Sequence, residues 1–406
     1  MKEESQQKVL YLTCLENTVK NDIHDSQVLG LGDKGVPYRF LFLSPRFILG
    51  RAGFSVNKNK FTNPAVKEVK LPLFSANLVM HVFIIPYYLI VACPVLLLFI
   101  HKEHIKIIHC RNLVSSLLAV FCKICLFQNI KVVCDPRSVY VEEGVIIGRF
   151  KYQGLNYRAW KKIERWIYKK SDYCLGLSDN FAGYLKQYNL HSAFIPAVVR
   201  PSFIYDSNKR ESLRIELGLT TQHHVLIYVG SIGQWHSVEM LIKSIDAYKK
   251  TLDSDGLIRV IFLSGNSNAC DEIIKHYSEE EIIKCGRVTP VEVLNYLQVA
   301  DYGIVPGTNK GGFCYDLLYE TMLSSKAEEF LAVGLPIIVN KRIISLNSML
   351  QEQHYCIEFD GENVFCQPIT RSRSEMSVYF NTMFNAKTVV GRYKALYDGL
   401  MTHTNN

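Results

Sequence analysis

Short apolar runs rich in β-branched residues alternate with longer stretches of helical periodicity along the chain, and the pattern runs through twice. In the first half, KVLYLTC, YRFLFLS, IKIIHC, IKVVCD, DYCLGLS and SAFIPA each give way to a loop with Ser, Asp, Asn, Gly or Pro. In the second half, HVLIYVG, IRVIFLSG, DYGIVP and PIIVN repeat the grammar, separated by helical patterns such as PVEVLNYLQVA. Parallel strands cannot be joined by a tight turn and need a crossover, so this alternation reads as parallel sheets with helices packed on them. At 406 residues the chain also exceeds the size at which one hydrophobic core keeps growing. The expected fold class is therefore α/β: two Rossmann-like, doubly wound lobes. Residues 1–198 form the first and residues 199–384 the second, joined through the polar stretch RPSFIYDSNKRESLRIELGLT. Residues 385–406 are a candidate amphipathic helix that packs back on the first lobe. Ligands of such sheets bind at the carboxyl ends of the strands, which predicts a central cleft between facing lobes.

Composition narrows the class of protein. With 48% hydrophobic and 21% charged residues and a mean hydropathy of +0.05, the chain reads as globular rather than polytopic. Its 12 cysteines are scattered, often inside apolar runs such as VACPVLLLFI and FCKICLF, and form no zinc-type pair. No secretory signal is visible, so we expect reduced, buried thiols in a cytoplasmic protein. The net charge of +8 suits an anionic partner, either a nucleoside diphosphate or a lipid headgroup. No basic stripe with interleaved aromatics extends beyond one helix, which argues against nucleic acid. Residues 83–100, FIIPYYLIVACPVLLLFI, carry no charge and approach the length of a bilayer span. Pro86 and Pro94 interrupt them, and a span would separate residues 1–82 from the strands they must pair with. A buried or interfacial helix is the expectation, working with the basic helix NYRAWKKIERWIYKK at an anionic membrane surface.

Four stretches carry candidate chemistry. In SSKAEEFLAVGLPIIVN, residues 324–340, Ser324 or Ser325 caps a helix start, Gly334 suits its end and Pro336 opens the next strand. Its N-terminus favours phosphate, Lys326 adds a positive charge, and Glu329 can accept from two ribose hydroxyls. The alternative is a capped surface helix with a local ion pair. In YVGSIGQWHSVEML, residues 228–241, Gly230, Ser231 and Gly233 let backbone amides approach a ligand oxygen before a helix begins near Ser237. The loop PGTNKGGF, residues 306–313, offers Lys310, Gly311 and Gly312 as a flexible basic lip, unless it is simply a mobile surface loop. HCRN and DPRS end two strands of the first half, making His109, Arg111, Asp135 and Arg137 candidate catalytic residues. A lone His or an Asp–Arg pair at a strand end is more often structural. Glu142 and Glu143 follow on the same loop as candidates to face an acceptor. The one DxD, Asp253-Ser254-Asp255, precedes Gly256 and reads as a turn, so no metal is expected.

With these residues in place, the chain resembles the retaining GT-B glycosyltransferases of the large family that includes many bacterial polysaccharide-building enzymes, the group 1, family 4-like enzymes. KAEEFLAVGLPIIV looks like the family's K-x-x-E-[FY]-x-A-x-G-x-P donor segment, and YVGSIGQWHSVEML like its G-S-x-G-x-W variant. IIHCRN, CDPRSVYVEEG, SDYCLGLSDNFAGYL and VADYGIVP follow in the expected order. The chain departs from the pattern in three ways. Thr321, with Glu320 beside it, stands where the family often has a first glutamate. The Arg and Lys that often follow the first C-lobe strand are missing from GSIGQWHS. The N-terminal glycine-rich loop has only a loose counterpart around Ser26. The resemblance implies a nucleoside diphosphate sugar as co-substrate, no other cofactor, and a saccharide or lipid-linked acceptor. It also implies retention at the anomeric carbon, with the leaving phosphate taking the acceptor proton. Rival expectations are a nucleotide-sugar epimerase on the same scaffold and a non-catalytic scaffold that binds nucleotide sugar.

Overall fold

Fourteen strands form two sheets among the residues that the computed structural model describes, which are 8–14, 36–47, 66–73, 82–252, 256–366 and 369–402. The first sheet holds β1 (Lys8–Cys14), β2 (Tyr38–Phe47), β3 (Val66–Leu73), β4 (Ile105–Cys110), β5 (Lys131–Cys134), β6 (Tyr173–Gly176) and β7 (Ser192–Phe194). They are parallel throughout, in the order β3-β2-β1-β4-β5-β6-β7. The second holds β8 (His223–Val229), β9 (Leu257–Leu263), β10 (Ile282–Cys285), β11 (Tyr302–Val305), β12 (Ile337–Asn340), β13 (Cys356–Phe359) and β14 (Val364–Cys366). Its order, β10-β9-β8-β11-β12-β13-β14, is the same topology, with only the last pair antiparallel. Each sheet reverses direction once, between β1 and β4 and between β8 and β11, and the crevice of a doubly wound sheet opens at such a point.

The chain divides into two compact units, Met1–Val198 with Ala386–Asn406, and Val199–Asn385. The helix Ala386–Thr402 belongs to the first, where Val389, Val390, Tyr393 and Tyr397 are buried against Val9, Ile107, Val133 and Leu175. Each such side chain contributes about 1.5–3 kcal/mol by leaving water, which fixes this last helix to the first sheet. The core of the second unit joins Leu226, Val260, Ile304, Ile338 and Phe359 of its strands to Leu241 and Ile245 of the helix Val238–Lys249.

Several strands carry too little apolar signal to be read from sequence. β3, VKEVKLPL, alternates charge with apolar residues because it is an edge strand, where charge discourages pairing with another chain. β10, β13 and β14 are three or four residues long.

The uncharged segment forms the helix Ile85–Lys102, preceded by a 3-10 turn at Val82–Ile84. It is long and apolar enough to cross a membrane. However, β1 to β3 before it and β4 after it lie in one sheet, and a bilayer-crossing helix would pull that sheet apart. Tyr88, Ala92, Leu96 and Ile100 line its buried side at a four-residue spacing, while Phe83, Ile90 and Leu98 are about 70% exposed. Pro86 and Pro94 also face outward. Of the cysteines described, all are free and most are buried.

Candidate functional site

β8 ends at Val229 and passes into Gly230, whose φ of 121° lies in the region open to glycine. A Cβ added there would stand 1.8 Å from Lys326 Cε, so Gly230 exists to let the Lys326 stem pass. The sequence reading had Gly230 and Gly233 offering amides to a ligand, and the structure corrects that. Gly230 N–H donates to the Leu263 carbonyl at 2.7 Å, and Gly233 N–H to the His236 carbonyl at 2.9 Å. Ser231 is exposed, and its carbonyl accepts from the Tyr228 hydroxyl. The helix Val238–Lys249 then starts with Ser237 as N-cap, its hydroxyl accepting from Met240 N–H.

Lys326 lies in the first turn of the helix Ser325–Ala332. Ser324 is the N-cap residue by backbone, but its side chain makes no capping bond, a correction to the expected cap. At the other end Gly334 has φ 60°, and its N–H donates to Leu331, closing the helix as its residue type suggests. The Lys326 ammonium makes no hydrogen bond or ion pair with any described residue. Burial holds its pKa below that of an ordinary lysine, with Glu329 opposing. Glu329 pairs instead with Arg200, Nη1 to Oε1 at 3.8 Å. Burial raises the Glu329 carboxyl, and Arg200 and Lys326 counter the rise. Arg200 sits in the stretch that read as linker and was missed because only the fold brings it to Glu329. Thr321, at the position of the family's first glutamate, is buried and bonds the Leu317 carbonyl, while Glu320 is exposed.

The loop after β11 is not the flexible lip expected. Gly307 N–H donates to His236 Nδ1 at 3.2 Å, and the Gly307 carbonyl accepts from Ser237 N–H at 2.9 Å. Asn340 Nδ2 donates to the Pro306 carbonyl, Asn309 Nδ2 to Glu239, and Lys310 Nζ to Gln234 Oε1 at 2.7 Å. Arg342 donates to the carbonyls of Thr308 and Lys310 and pairs with Asp316. Gly311 lies beside that guanidinium, and Gly312, at φ 105°, is the N-cap of the helix Phe313–Thr321. Lys310 is exposed and carries its charge at the rim, whereas Lys326 is largely covered. His236 and Arg342 organise this region, yet neither stands out in the sequence, because their partners are loop carbonyls and amides far along the chain.

The strand ends of the first unit are closed by comparison. His109 is fully buried, with Nδ1 2.6 Å from the Tyr397 hydroxyl and Nε2 3.5 Å from Asp135 Oδ2. Tyr11, Tyr393 and Tyr397 surround its ring. Burial lowers its pKa despite Asp135, so the ring is neutral. Burial alone would raise Asp135, but Arg137, His109 and Arg111 hold it down to about 2. Arg137, at φ 66°, bonds Asp135 Oδ2 at 3.2 Å, and Arg111 reaches the Tyr11 hydroxyl. The four residues thus do come together, around a carboxylate in the core, and of them Arg137 keeps the most open side chain. Glu142 does not face outward as expected. It is fully buried and accepts from Tyr157 and from Lys161, whose ammonium also pairs with Glu164. Lys161 is thereby withdrawn from the basic face of the helix Leu155–Lys170, which keeps Arg158, Lys162, Arg165 and Lys169 exposed. Glu143 is partly open and accepts from Ser138.

A groove of about 780 Å³ opens at the opposite end of the second sheet, beside the first residues of β8 and β11. Its arginines are engaged with the protein. Arg210, Arg214 and Arg373 donate to carbonyls between Leu297 and Ala300, satisfying the end of the helix Pro290–Val299. Among the described residues, no group of three or more His, Cys, Asp or Glu is placed to hold a metal. Asp253 to Asp255 and the segment around Ser26 lie outside the described residues.

No family model and no curated protein sequence matches the chain. Solved structures do. A sucrose-phosphate synthase from Thermosynechococcus elongatus superposes with a TM-score of 0.68 at 13% identity, covering 98% of this chain and all of that one. A glycosyltransferase from Rickettsia africae gives 0.63 at 12%, covering 98% and 99%. Anabaena HepE in complex with UDP-glucose gives 0.60 at 9%, covering 97% and 99%. At this identity the likeness shows the fold: two Rossmann-like lobes of the GT-B type.

Proposed function

We propose that the chain is a glycosyltransferase that moves a sugar from a nucleoside diphosphate donor, held by the second unit, to a saccharide or lipid-linked saccharide acceptor. The observation that carries this reading is Lys326. It is a largely covered ammonium that makes no hydrogen bond or ion pair with any described residue, in the first turn of a helix whose N-terminus favours an anion. An ammonium in that position costs desolvation that a bound phosphate returns. Glu329, one helical turn on, is placed for the ribose hydroxyls, with Arg200 holding its carboxylate. One protein of like fold, Anabaena HepE, was solved with UDP, with UDP and glucose, and with UDP-glucose, which supports a nucleotide sugar as the donor.

In the retaining reaction, the bond from the anomeric carbon to the diphosphate oxygen breaks as the acceptor oxygen bonds the same face. The acceptor proton passes to the leaving phosphate, so no protein base or metal is required. The protein orients the partners and stabilises charge developing on the diphosphate. Ser231, Lys310, Gly311 and Gly312 form the rim of this donor region. On the acceptor side, Glu143 and Arg137 are the members of the first unit's set with access to a ligand, and His109, Arg111 and Asp135 position Arg137.

The exposed apolar stripe of Ile85–Lys102 and the basic face of Leu155–Lys170 suit peripheral binding to an anionic membrane at its cytoplasmic side, as a surface polysaccharide pathway (capsule, O-antigen or exopolysaccharide) would need. The Val82 N–H donates to Asn156 Oδ1, so the two features adjoin within one unit.

Incubation with a panel of nucleotide sugars, with and without membrane extract, tests the activity. Acceptor-dependent release of nucleoside diphosphate is expected. Interconversion of donors without release would make the protein an epimerase, and binding without turnover a scaffold. Flotation with anionic vesicles tests the membrane, and Ile90→Asp with Leu98→Asp should abolish it.

A further inference from the structure

The loop after β8 lacks the Arg and Lys that the resemblance leads one to expect, and Lys326 alone leaves a diphosphate short of donors. We propose that His236 supplies the missing donor, a neutral Nε2–H directed to a phosphate oxygen of the nucleotide bound at Lys326. This rests on the donor-site reading above and names a phosphate ligand that carries no charge.

The tautomer follows from one hydrogen bond. A backbone amide can only donate, so Gly307 N–H, 3.2 Å from Nδ1, makes Nδ1 an acceptor and places the ring proton on Nε2. The ring is held from both directions. His236 accepts from Gly233 N–H through its carbonyl, and Ser237 N–H donates to the Gly307 carbonyl. Tyr228 packs edge-on against the imidazole at 6.2 Å between centroids. The ring cannot turn over without losing the Gly307 bond, so the donor direction is set before any ligand arrives. Such preorganisation is what a charge-stabilising donor needs.

His236 as a residue is 5% exposed, and no described residue accepts from Nε2–H. The nitrogen is not among the fully buried unpaired atoms, so it stays within reach of a ligand. The ammonium of Lys326 is the charge that acts on the ring. Burial, and after it that ammonium, push the His236 pKa down to about 3, which keeps the imidazole neutral. An ammonium that makes no hydrogen bond or ion pair with a described residue and a neutral N–H on a ring that feels its charge are both complementary to one anionic ligand. A second cation would instead repel Lys326, whose own pKa is already lowered. A neutral imidazole adds a hydrogen bond without that repulsion.

His236→Asn tests the assignment, because its side-chain carbonyl can still accept from Gly307 N–H while nothing replaces Nε2–H. The parent is first titrated by calorimetry with UDP, ADP and GDP, and the tightest binder is then compared with its bare nucleoside. His236→Asn should weaken the diphosphate about tenfold or more and leave the nucleoside within about twofold, at an unchanged melting temperature. In ¹⁵N-histidine-labelled parent, the His236 signals should show an unprotonated Nδ1 and a protonated Nε2 that shifts with the diphosphate but not with the nucleoside. A parent that binds none of the three diphosphates overturns the donor site itself, and this proposal with it. Binding by the parent with equal binding by His236→Asn overturns the proposal alone, as does a protonated Nδ1. Should the variant unfold, the ¹⁵N measurement on the parent decides.

Discussion

The two sheets share one strand order, and both place polar residues after the strands at their reversal points, yet they use them differently. After β4 and β5, His109, Asp135, Arg111 and Arg137 answer one another, and three tyrosines seal the group. After β8 and β11, the loops are bonded to each other through His236 and Arg342, but Lys326 is left over. A set whose charges are paired with one another, even with Asp135 Oδ1 and Arg111 Nε left without a hydrogen bond, reads as architecture, while an ammonium with no ion pair among the described residues reads as a place for a ligand. The carboxyl ends of the strands offer both options, and side-chain partners decide between them.

The sharpest way to break this contrast is Asp135→Ala. Removing the carboxylate leaves Arg137 and Arg111 beside a buried hole without a counter-charge. Loss of one member of a buried pair costs about 3–5 kcal/mol, so urea unfolding should show a large loss of stability and activity should fall with it. Intact stability with lost turnover would make the first unit's cluster functional in its own right. In the second unit the expected effect is on binding. Lys326→Ala should weaken nucleoside diphosphate by roughly 10- to 100-fold, the range of one charge-assisted hydrogen bond, and should hardly change the nucleoside. Glu329→Gln should weaken both ligands, because ribose is common to them. Calorimetry with melting curves as a folding control separates these outcomes.

Acid sharpens the comparison further. The Asp135 pKa is about 2 in the folded protein against 3.8 unfolded, so its contribution is present above about pH 4. It is lost as pH falls through about 2, on the order of 2 kcal/mol in all. Acid unfolding of the parent should therefore be steeper than that of Asp135→Asn, measured by circular dichroism. The smallest expected effect is none: excess chelator should leave turnover unchanged. Loss of activity restored by Mn²⁺ would require a metal site and a different account of the diphosphate.

Much of the fold was legible because its signals are local. The runs that became β1, β4, β5, β8, β9 and β11 are apolar over successive residues, Ser237 has a hydroxyl suited to a helix start and Gly334 the freedom of φ suited to a helix end, and Lys326 stands in a recognisable helix start. The candidate site was legible only in part. Glu142 and Glu143 are neighbours of one residue type, yet one is buried on Lys161 and the other is partly open. Gly230 read as an approach for a ligand and proved to be clearance for Lys326.

By itself the sequence determined where the strongly apolar strands and many of the helices lie, because capping, periodicity and turn chemistry act within a few residues of chain. The tertiary structure alone decided which polar groups remain free. Arg200 reaches Glu329, His236 takes the Gly307 amide and Tyr397 takes His109 across separations that no local pattern encodes. Burial makes each of those pairings matter, since a polar group removed from water loses hydrogen bonds that only a partner brought close by the fold can replace.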